Sequence, residues 1–200
     1  MDATTLISNL DSTSVESSLT RLLKIKDRST DEHSHRVAEL TSEWMIYMKS
    51  RNQWLDLDEV DLVLAARLHD VGKIGVRGEI LNKAGPLTLA EKNHLNEHSD
   101  LGYHLLCMSE VDEKLALAVK HHHERWDGTG YPNQLKRDEI PFFAQVIAVV
   151  DTYDAITSDR PYRKARGVKD AIQEIENAAG GQFSPVLVAS FVKFLIARNV

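Results

Sequence analysis

The chain has 200 residues, of which 42% are hydrophobic and 27% charged, a balance typical of a single globular domain. Its net charge of -6 argues against binding a long nucleic acid through bulk electrostatics, and its one cysteine, Cys107, excludes an internal disulfide. The longest apolar run, residues 142–150, is too short to cross a bilayer, and no signal peptide opens the sequence. We therefore predict a cytoplasmic protein without membrane insertion.

Apolar residues recur at helical spacing along most of the chain, and no run of period two is convincing. Residues 1–25 are interpreted as a helical lead-in or linker and residues 26–200 as one domain. Three apolar faces mark helices within that domain: Val37, Leu40, Thr41, Trp44 and Met48; Phe143, Val146, Ile147 and Val150; and Leu187, Val188, Phe191, Val192 and Leu195. The pattern predicts an all-α fold of about seven to nine helices.

Local signals predict where several helices begin and end. Capping-box spacing occurs at Thr88–Glu91 and Asp56–Glu59, Pro141 and Pro185 fit first helical turns, Ser184 is a good N-cap, and Gly180 ends a helix from near Val168. Two stretches rich in glycine and proline, residues 71–87 and 124–139, are predicted to be loops. Each follows a histidine motif, which favours a role beside a functional site.

Nine histidines are an unusual number for 200 residues, and several stand beside carboxylates, which indicates a metal site. Asp151 follows Val149 and Val150 on a helix that we expect to be buried. A buried carboxylate is costly unless its charge is matched, and a divalent cation or an arginine would match it. Asp154 lies one turn later, so it can face the same way and support a metal ligand.

Two pairs of adjacent candidate ligands, His69–Asp70 and His122–His123, place the same requirement on the local backbone. Adjacent residues on a helix point about 100° apart, so both can reach one metal only where the helix ends. Gly72 predicts such an end after the first pair, and residues 126–128 predict one after the second. His33 opens the first long helix in this interpretation, and His121 is expected to lie outside the site.

The candidate ligands form two sets. The first contains His33, His69, Asp70 and Asp151, and the second contains His98, His122 and His123. Asp70 is our choice for a bridge between two ions. Imidazole and carboxylate ligands suit iron, manganese or zinc better than magnesium or calcium. Two ions about 3.5–4 Å apart form the usual clamp for an in-line displacement at phosphorus.

Cations follow the candidate ligands along the chain. Lys73 comes soon after the His69–Asp70 pair, and Arg160 and Arg163 come soon after Asp151. We interpret these three side chains as phosphate contacts. The alternative for the two arginines is that they pair with nearby carboxylates and only hold the loop in place.

The ordered series of motifs resembles a known family. Residues 69–73 resemble the HDxGK signature of HD phosphohydrolases, and residues 122–132 resemble the HHERWDGxGYP signature of the HD-GYP subfamily. The resemblance implies an all-helical HD fold and hydrolysis of cyclic di-GMP to linear pGpG, in some members onward to GMP. The metal ligands that it implies are His33, His69, Asp70, His98, His122, His123 and Asp151. Asp70 and Lys73 would be catalytic, and Lys73, Tyr131, Arg160 and Arg163 would contact the substrate.

One departure from the family affects the expected number of metals. Some members carry a glutamate four positions before the first histidine ligand, where this chain has Ser29. We therefore predict two divalent ions, iron or manganese, with zinc as an alternative. Rival interpretations are a non-catalytic sensor or partner-binding domain and a phosphohydrolase that prefers pGpG or cyclic GMP-AMP. The predicted partners are cyclic di-GMP and, through the GYP loop, a diguanylate cyclase (GGDEF) domain.

Overall fold

The computed structural model describes residues 14–109, 111–159 and 164–198. Within these ranges the fold is helical and contains no β-strand, so the all-α prediction is confirmed. The α-helices, numbered in chain order, are α1 (Ser14–Lys26), α2 (Arg28–Lys49), α3 (Glu59–Leu68), α4 (Gly78–Leu81), α5 (Leu89–Asn96), α6 (His98–Cys107), α7 (Glu113–His121), α8 (Phe142–Thr157), α9 (Val168–Asn177) and α10 (Pro185–Arg198). None of the helices in this described part of the chain has the length and hydropathy that crossing a membrane requires.

The long helix α2 packs against α1, α3 and α8 around one hydrophobic core. The three apolar faces predicted from the sequence all contribute to that core. Trp44 and Phe191 lie at its centre with their ring centroids 4.7 Å apart, which joins α2 to α10. Leu23 of α1 is also fully buried. The predicted division of the chain at residue 25 stays a prediction.

Helix α2 begins earlier than the sequence predicts. It starts at Arg28, because the side chain of Asp27 accepts a hydrogen bond from the Ser29 amide at 3.1 Å and caps the helix. His33 therefore lies in the second turn and does not open the helix. This correction places its side chain beside α8 and not at a helix end.

The other boundary signals succeed in part. Thr88 forms the predicted capping box, and Pro185 is the first residue of α10. The capping box at Asp56 is wrong, because Asp58 caps α3 by accepting from the Asp61 amide at 3.1 Å. Two other helix boundaries differ slightly from the prediction, because α8 begins just after Pro141 and α9 ends three residues before Gly180.

The two predicted loops contain short helical turns. Residues 71–87 include a 3-10 helix, Val71–Gly75, and the single turn of α4, while residues 124–139 include the 3-10 helix Arg137–Glu139. The first 3-10 helix packs against α6. This contact brings residues that follow the end of α3 against the start of α6, where the next candidate ligand stands.

Candidate metal centre

Helix ends supply most of the candidate ligands. Helix α3 ends at Leu68, so His69 caps it and Asp70 leaves helical geometry with φ -100° and ψ 7°. Helix α7 ends at His121, directly before His122 and His123. The prediction that each adjacent pair stands at a helix end is therefore confirmed. His98 is the first residue of α6, so it too lies at a terminus.

The ligands form two groups that share one carboxylate. One group is Asp70, His98, His122 and His123, and the other is His33, His69 and Asp70; within each group the donor atoms lie within 4.8 Å of one another. One oxygen of Asp70, Oδ1, lies 3.4 Å from His98 Nε2. The other, Oδ2, lies 3.4 Å from His69 Nε2. The two oxygens face different groups, which is the arrangement that a bridging carboxylate needs.

Backbone carbonyls hold three of the imidazoles in one tautomer. Nδ1 of His69, His98 and His122 lies 2.7, 2.7 and 2.6 Å from the carbonyl oxygen three residues earlier. Because a carbonyl only accepts, Nδ1 donates the proton and Nε2 keeps a free lone pair. His69 Nε2 is buried and has no hydrogen-bond partner among the described residues. Leaving such an atom unsatisfied is costly, and a metal ion would satisfy it.

His33 is held by two carboxylates of α8. Its Nδ1 donates to Asp154 Oδ2 at 2.6 Å, and its Nε2 lies 2.9 Å from Asp151 Oδ1. Arg36 donates from Nε and Nη2 to the two oxygens of Asp154 at 2.7 and 2.9 Å. Asp154 therefore supports a candidate ligand, as its position one turn after Asp151 predicts. Asp151 belongs to neither of the two groups and contacts the centre through His33.

The pKa values favour the forms that bind a metal. Burial lowers the pKa of His98 to about 4 and that of His123 to about 3, and it holds the pKa of His122 well below its ordinary value. Burial would raise the pKa of Asp70, but the Lys73 ammonium holds it well below the usual range. Neutral imidazoles and ionised carboxylates are the protonation states that coordination requires.

His33 differs from the other imidazoles. Burial lowers its pKa, but the hydrogen bonds to Asp151 and Asp154 outweigh burial and raise the pKa to about 9. With this raised pKa, His33 carries a proton on Nε2 that faces Asp151 Oδ1 at 2.9 Å. A cation held by both residues would replace that proton.

Lys73 lies in the site, as predicted. Its ammonium is 2.6 Å from Asp70 Oδ2, and its side chain is 21% exposed. It lines an opening of about 340 Å³, together with His33, Arg36 and Lys83. We call this opening the cationic cavity. Arg160 and Arg163, the other two predicted phosphate contacts, lie outside the described residues.

Tyr131 covers one ligand. Its ring stacks on His123 with centroids 4.8 Å apart and an interplanar angle of 28°. The loop that carries Tyr131 is fixed by Glu124, a buried carboxylate that accepts from the Asn133 amide at 2.7 Å and the Leu135 amide at 3.1 Å. Sequence reasoning assigned no role to Glu124. Its one signal was its position directly after His122 and His123.

The remaining histidines contribute to neither ligand group. His121 is buried and lies 3.6 Å from Glu124, His35 and His94 contact Glu39 and Glu97 at 3.5 and 3.0 Å, and His104 packs against Tyr103. The sequence-based expectation that His121 lies outside the centre agrees with this arrangement.

A family model described as HD domain matches residues 17–187. The chain belongs to the HD domain family. A relative from Thermotoga maritima, named cyclic di-GMP phosphodiesterase, is 36% identical, and the alignment covers 88% of this chain and 47% of that protein. A cyclic di-GMP phosphodiesterase of Pseudomonas aeruginosa is 40% identical over 86% of this chain and 40% of its own length. The family recognised from the motifs is therefore confirmed.

Other relatives are named for a different cyclic dinucleotide. The 3'3'-cGAMP-specific phosphodiesterase 3 of Vibrio cholerae is 34% identical over 93% of this chain and 40% of that protein. The chain spans about half the length, or less, of these curated relatives.

Solved structures share the fold. The crystal structure of a cyclic GMP-AMP specific phosphodiesterase from V. cholerae matches with a TM-score of 0.61 and 20% identity, covering 90% of this chain and 47% of that one. An HD-GYP-type protein from Bdellovibrio bacteriovorus matches with a TM-score of 0.64 and 16% identity, covering 83% and 52%. At these identities the likeness shows the fold alone.

Proposed function

We propose that residues 26–200 form a metal-dependent phosphodiesterase that hydrolyses cyclic di-GMP to linear pGpG, with GMP as the product of any second cleavage. The observation that carries the proposal is Asp70, whose two oxygens face separate histidine groups 3.4 Å away. The names of the relatives support a cyclic dinucleotide as substrate. Cyclic di-GMP is favoured over cyclic GMP-AMP because the relatives named for it reach 36% and 40% identity, against 34% and less for the others.

The donor set suits two iron or manganese ions, with zinc as the alternative. The proposed ligands are His33, His69, Asp70, His98, His122, His123 and Asp151. When bound, such a pair of ions lowers the pKa of a water molecule and offsets charge on the attacked phosphate. The neutral imidazoles and the orphaned Nε2 of His69 fit cations well. The proposal of two ions and not three depends on Ser29, which lines the cationic cavity and offers no carboxylate.

Other residues of the chain are assigned to the substrate. Lys73 pairs with Asp70 at 2.6 Å, and cations at the centre would free its ammonium to face a phosphate oxygen. Tyr131 would lie beside the bound nucleotide, and Arg160 and Arg163 remain proposed phosphate contacts. A GGDEF domain as partner of the loop at residues 124–139 stays a prediction, as does the cytoplasmic location.

The proposed reaction is tested by an anaerobic assay with manganese or ferrous iron. We expect conversion of cyclic di-GMP to pGpG, identified by chromatography and mass, and slower conversion of 3'3'-cyclic GMP-AMP. Binding of cyclic di-GMP without product under all metal conditions would favour the non-catalytic sensor. Faster turnover of pGpG or cyclic GMP-AMP would replace the proposed substrate while leaving the reaction class intact.

The metal count is a separate prediction. We expect about two transition-metal ions per chain after anaerobic loading, as in other two-metal hydrolases. Elemental analysis and an anomalous-scattering map of the same preparation would measure this. Ser29→Glu is the matched variant, because it places a carboxylate at the position where some family members carry one, and it should raise the count. Three well-occupied ions in the wild-type protein would contradict the prediction.

Asp154→Asn tests the support of His33. The amide can no longer hold both the His33 imidazole and the Arg36 guanidinium as a charged acceptor. We expect metal affinity or activity to fall about 10–100-fold, the usual effect of losing a group that orients a ligand. Glu39→Gln is the control, since Glu39 contacts His35, which belongs to neither ligand group. Equal metal affinity in Asp154→Asn and Glu39→Gln would show that Asp154 has no such role.

A further inference from the structure

A second opening, of about 490 Å³, lies against the His122 and His123 side of the centre. Its lining is richer in side-chain amides than that of the cationic cavity, which includes one, from Asn82. It includes three side-chain amides, from Asn93, Asn96 and Gln182, and the apolar surfaces of Leu89 and Tyr131. We call it the amide cavity. Because His122, His123 and Asp151 line it, a molecule held at the metals would lie next to this cavity.

Two of the amides are unused by the fold. Asn93 and Asn96 stand one turn apart on α5, so they share a face of that helix. No hydrogen bond joins either side-chain amide to another residue in the described part of the chain, although the backbone carbonyls of both residues are occupied. Gln182 makes one long contact, from Nε2 to Thr152 at 3.4 Å. The cavity therefore offers free donors and acceptors beside the centre.

The two cavities suit different parts of a nucleotide. The cationic cavity is lined by Arg36, Lys73 and Lys83, each paired with a carboxylate, and these cations suit a phosphate that competes for them. The amide cavity is also lined by the cations Lys92 and Arg125, but it adds neutral amides and exposed apolar surface, including Leu89, a residue that is 77% exposed. Purine bases are neutral, have two flat apolar faces, and carry donors and acceptors on their edges. Proteins bind unstacked bases by combining aromatic or apolar surfaces with polar contacts to those edges.

We propose that the amide cavity binds one purine base of the dinucleotide and that Asn93 and Asn96 hydrogen-bond to its edge. The inference rests on the proposed function and deepens it by naming residues that bind the base. Guanine presents N–H donors next to an oxygen acceptor, whereas adenine presents an amino donor next to a ring acceptor. An amide has both a donor and an acceptor and can match either pattern, whereas a carboxylate, which only accepts, matches the N–H donors of guanine.

The test compares a substrate that has bases with one that has none. Asn96→Leu is expected to lower kcat/KM for cyclic di-GMP about 10–100-fold, mainly by raising KM, as for a lost hydrogen bond of about 1–3 kcal/mol. Hydrolysis of bis(p-nitrophenyl) phosphate and the metal content should stay unchanged. Asn96→Asp should retain more activity on cyclic di-GMP than Asn96→Leu does, and its preference for cyclic di-GMP over cyclic di-AMP should be higher than that of the wild type. Asn177→Leu is the control, because Asn177 is exposed and lies outside the cavity.

The outcomes separate the inference from the function on which it rests. An equal loss of activity on both diesters, or no loss on either, overturns the inference. If the wild-type protein cleaves neither substrate, the proposed function fails. Calorimetry of cyclic di-GMP binding then tests the inference independently of catalysis. An unchanged Kd in Asn96→Leu overturns the inference.

Discussion

Asp70→Ala is expected to abolish hydrolysis of cyclic di-GMP, with a loss of at least about 10³-fold in kcat, and to reduce the bound metal. The side chain is 3% exposed and is surrounded by His69, His98 and the Lys73 ammonium. Removing it deletes a contact to both histidine groups at once and leaves Lys73 without its partner. Product formation and metal content should be measured on the same preparation.

Two further variants make the Asp70 result specific. Asp70→Asn keeps the size of the side chain but removes the charge, so its activity should fall nearly as far. Asp170→Ala is the control, because Asp170 is exposed on α9 and belongs to neither ligand group. Equal turnover by the wild type and Asp70→Ala would refute the assignment. Lost activity with a full metal load would refute the bridge while leaving a catalytic role.

The helix ends that carry the ligands could be predicted because the argument is local. Adjacent side chains diverge on a helix, so the two members of a pair such as His69–Asp70 or His122–His123 can reach one metal only where the helix ends. The two helices end at Leu68 and His121, directly before these pairs. The Nδ1–carbonyl bonds of His69 and His122 follow from the same local geometry, since each spans three residues. Such features are encoded within one or two turns of chain.

Contacts between distant parts of the chain could not be predicted in detail. The sequence offered an arginine as an alternative partner for Asp151, but Arg36 pairs with Asp154, 118 residues away, while Asp151 contacts His33. Spacing placed both aspartates on one face of α8 but could not say which partner each would meet. The choice depends on how α2 crosses α8.

Glu124 and the amide cavity were missed for a related reason. Glu124 accepts hydrogen bonds from the backbone amides of Asn133 and Leu135, which lie 9 and 11 residues further along an irregular loop. No periodic pattern predicts the path of such a loop. Asn93 and Asn96 carry no charge and form no motif, so only their position against His122 and His123 gives them a candidate role.

Gly72→Ala is expected to destabilise the fold strongly. A Cβ at this position would lie 1.9 Å from the carbonyl oxygen of His98 and 2.6 Å from the amide nitrogen of Gly102. Both atoms belong to the backbone of α6, so no change of rotamer can relieve the clash. We expect a loss of about 3–5 kcal/mol in the free energy of unfolding, at the upper end for overpacking, and a fall in Tm of roughly 10 °C or more.

Gly78→Ala is the matched control for this clash, since a Cβ there would have no atom within 4 Å. Gly78 is also the first residue of α4, and alanine favours a helix, so stability should change by less than about 1 kcal/mol. Thermal melting of both variants gives the comparison. Because the clash displaces His98, Gly72→Ala should also lose metal while still folded at low temperature, whereas Gly78→Ala should not. Equal melting temperatures and metal contents would mean that the glycine of the HDxGK signature is not required for the close approach of residues 71–75 to α6.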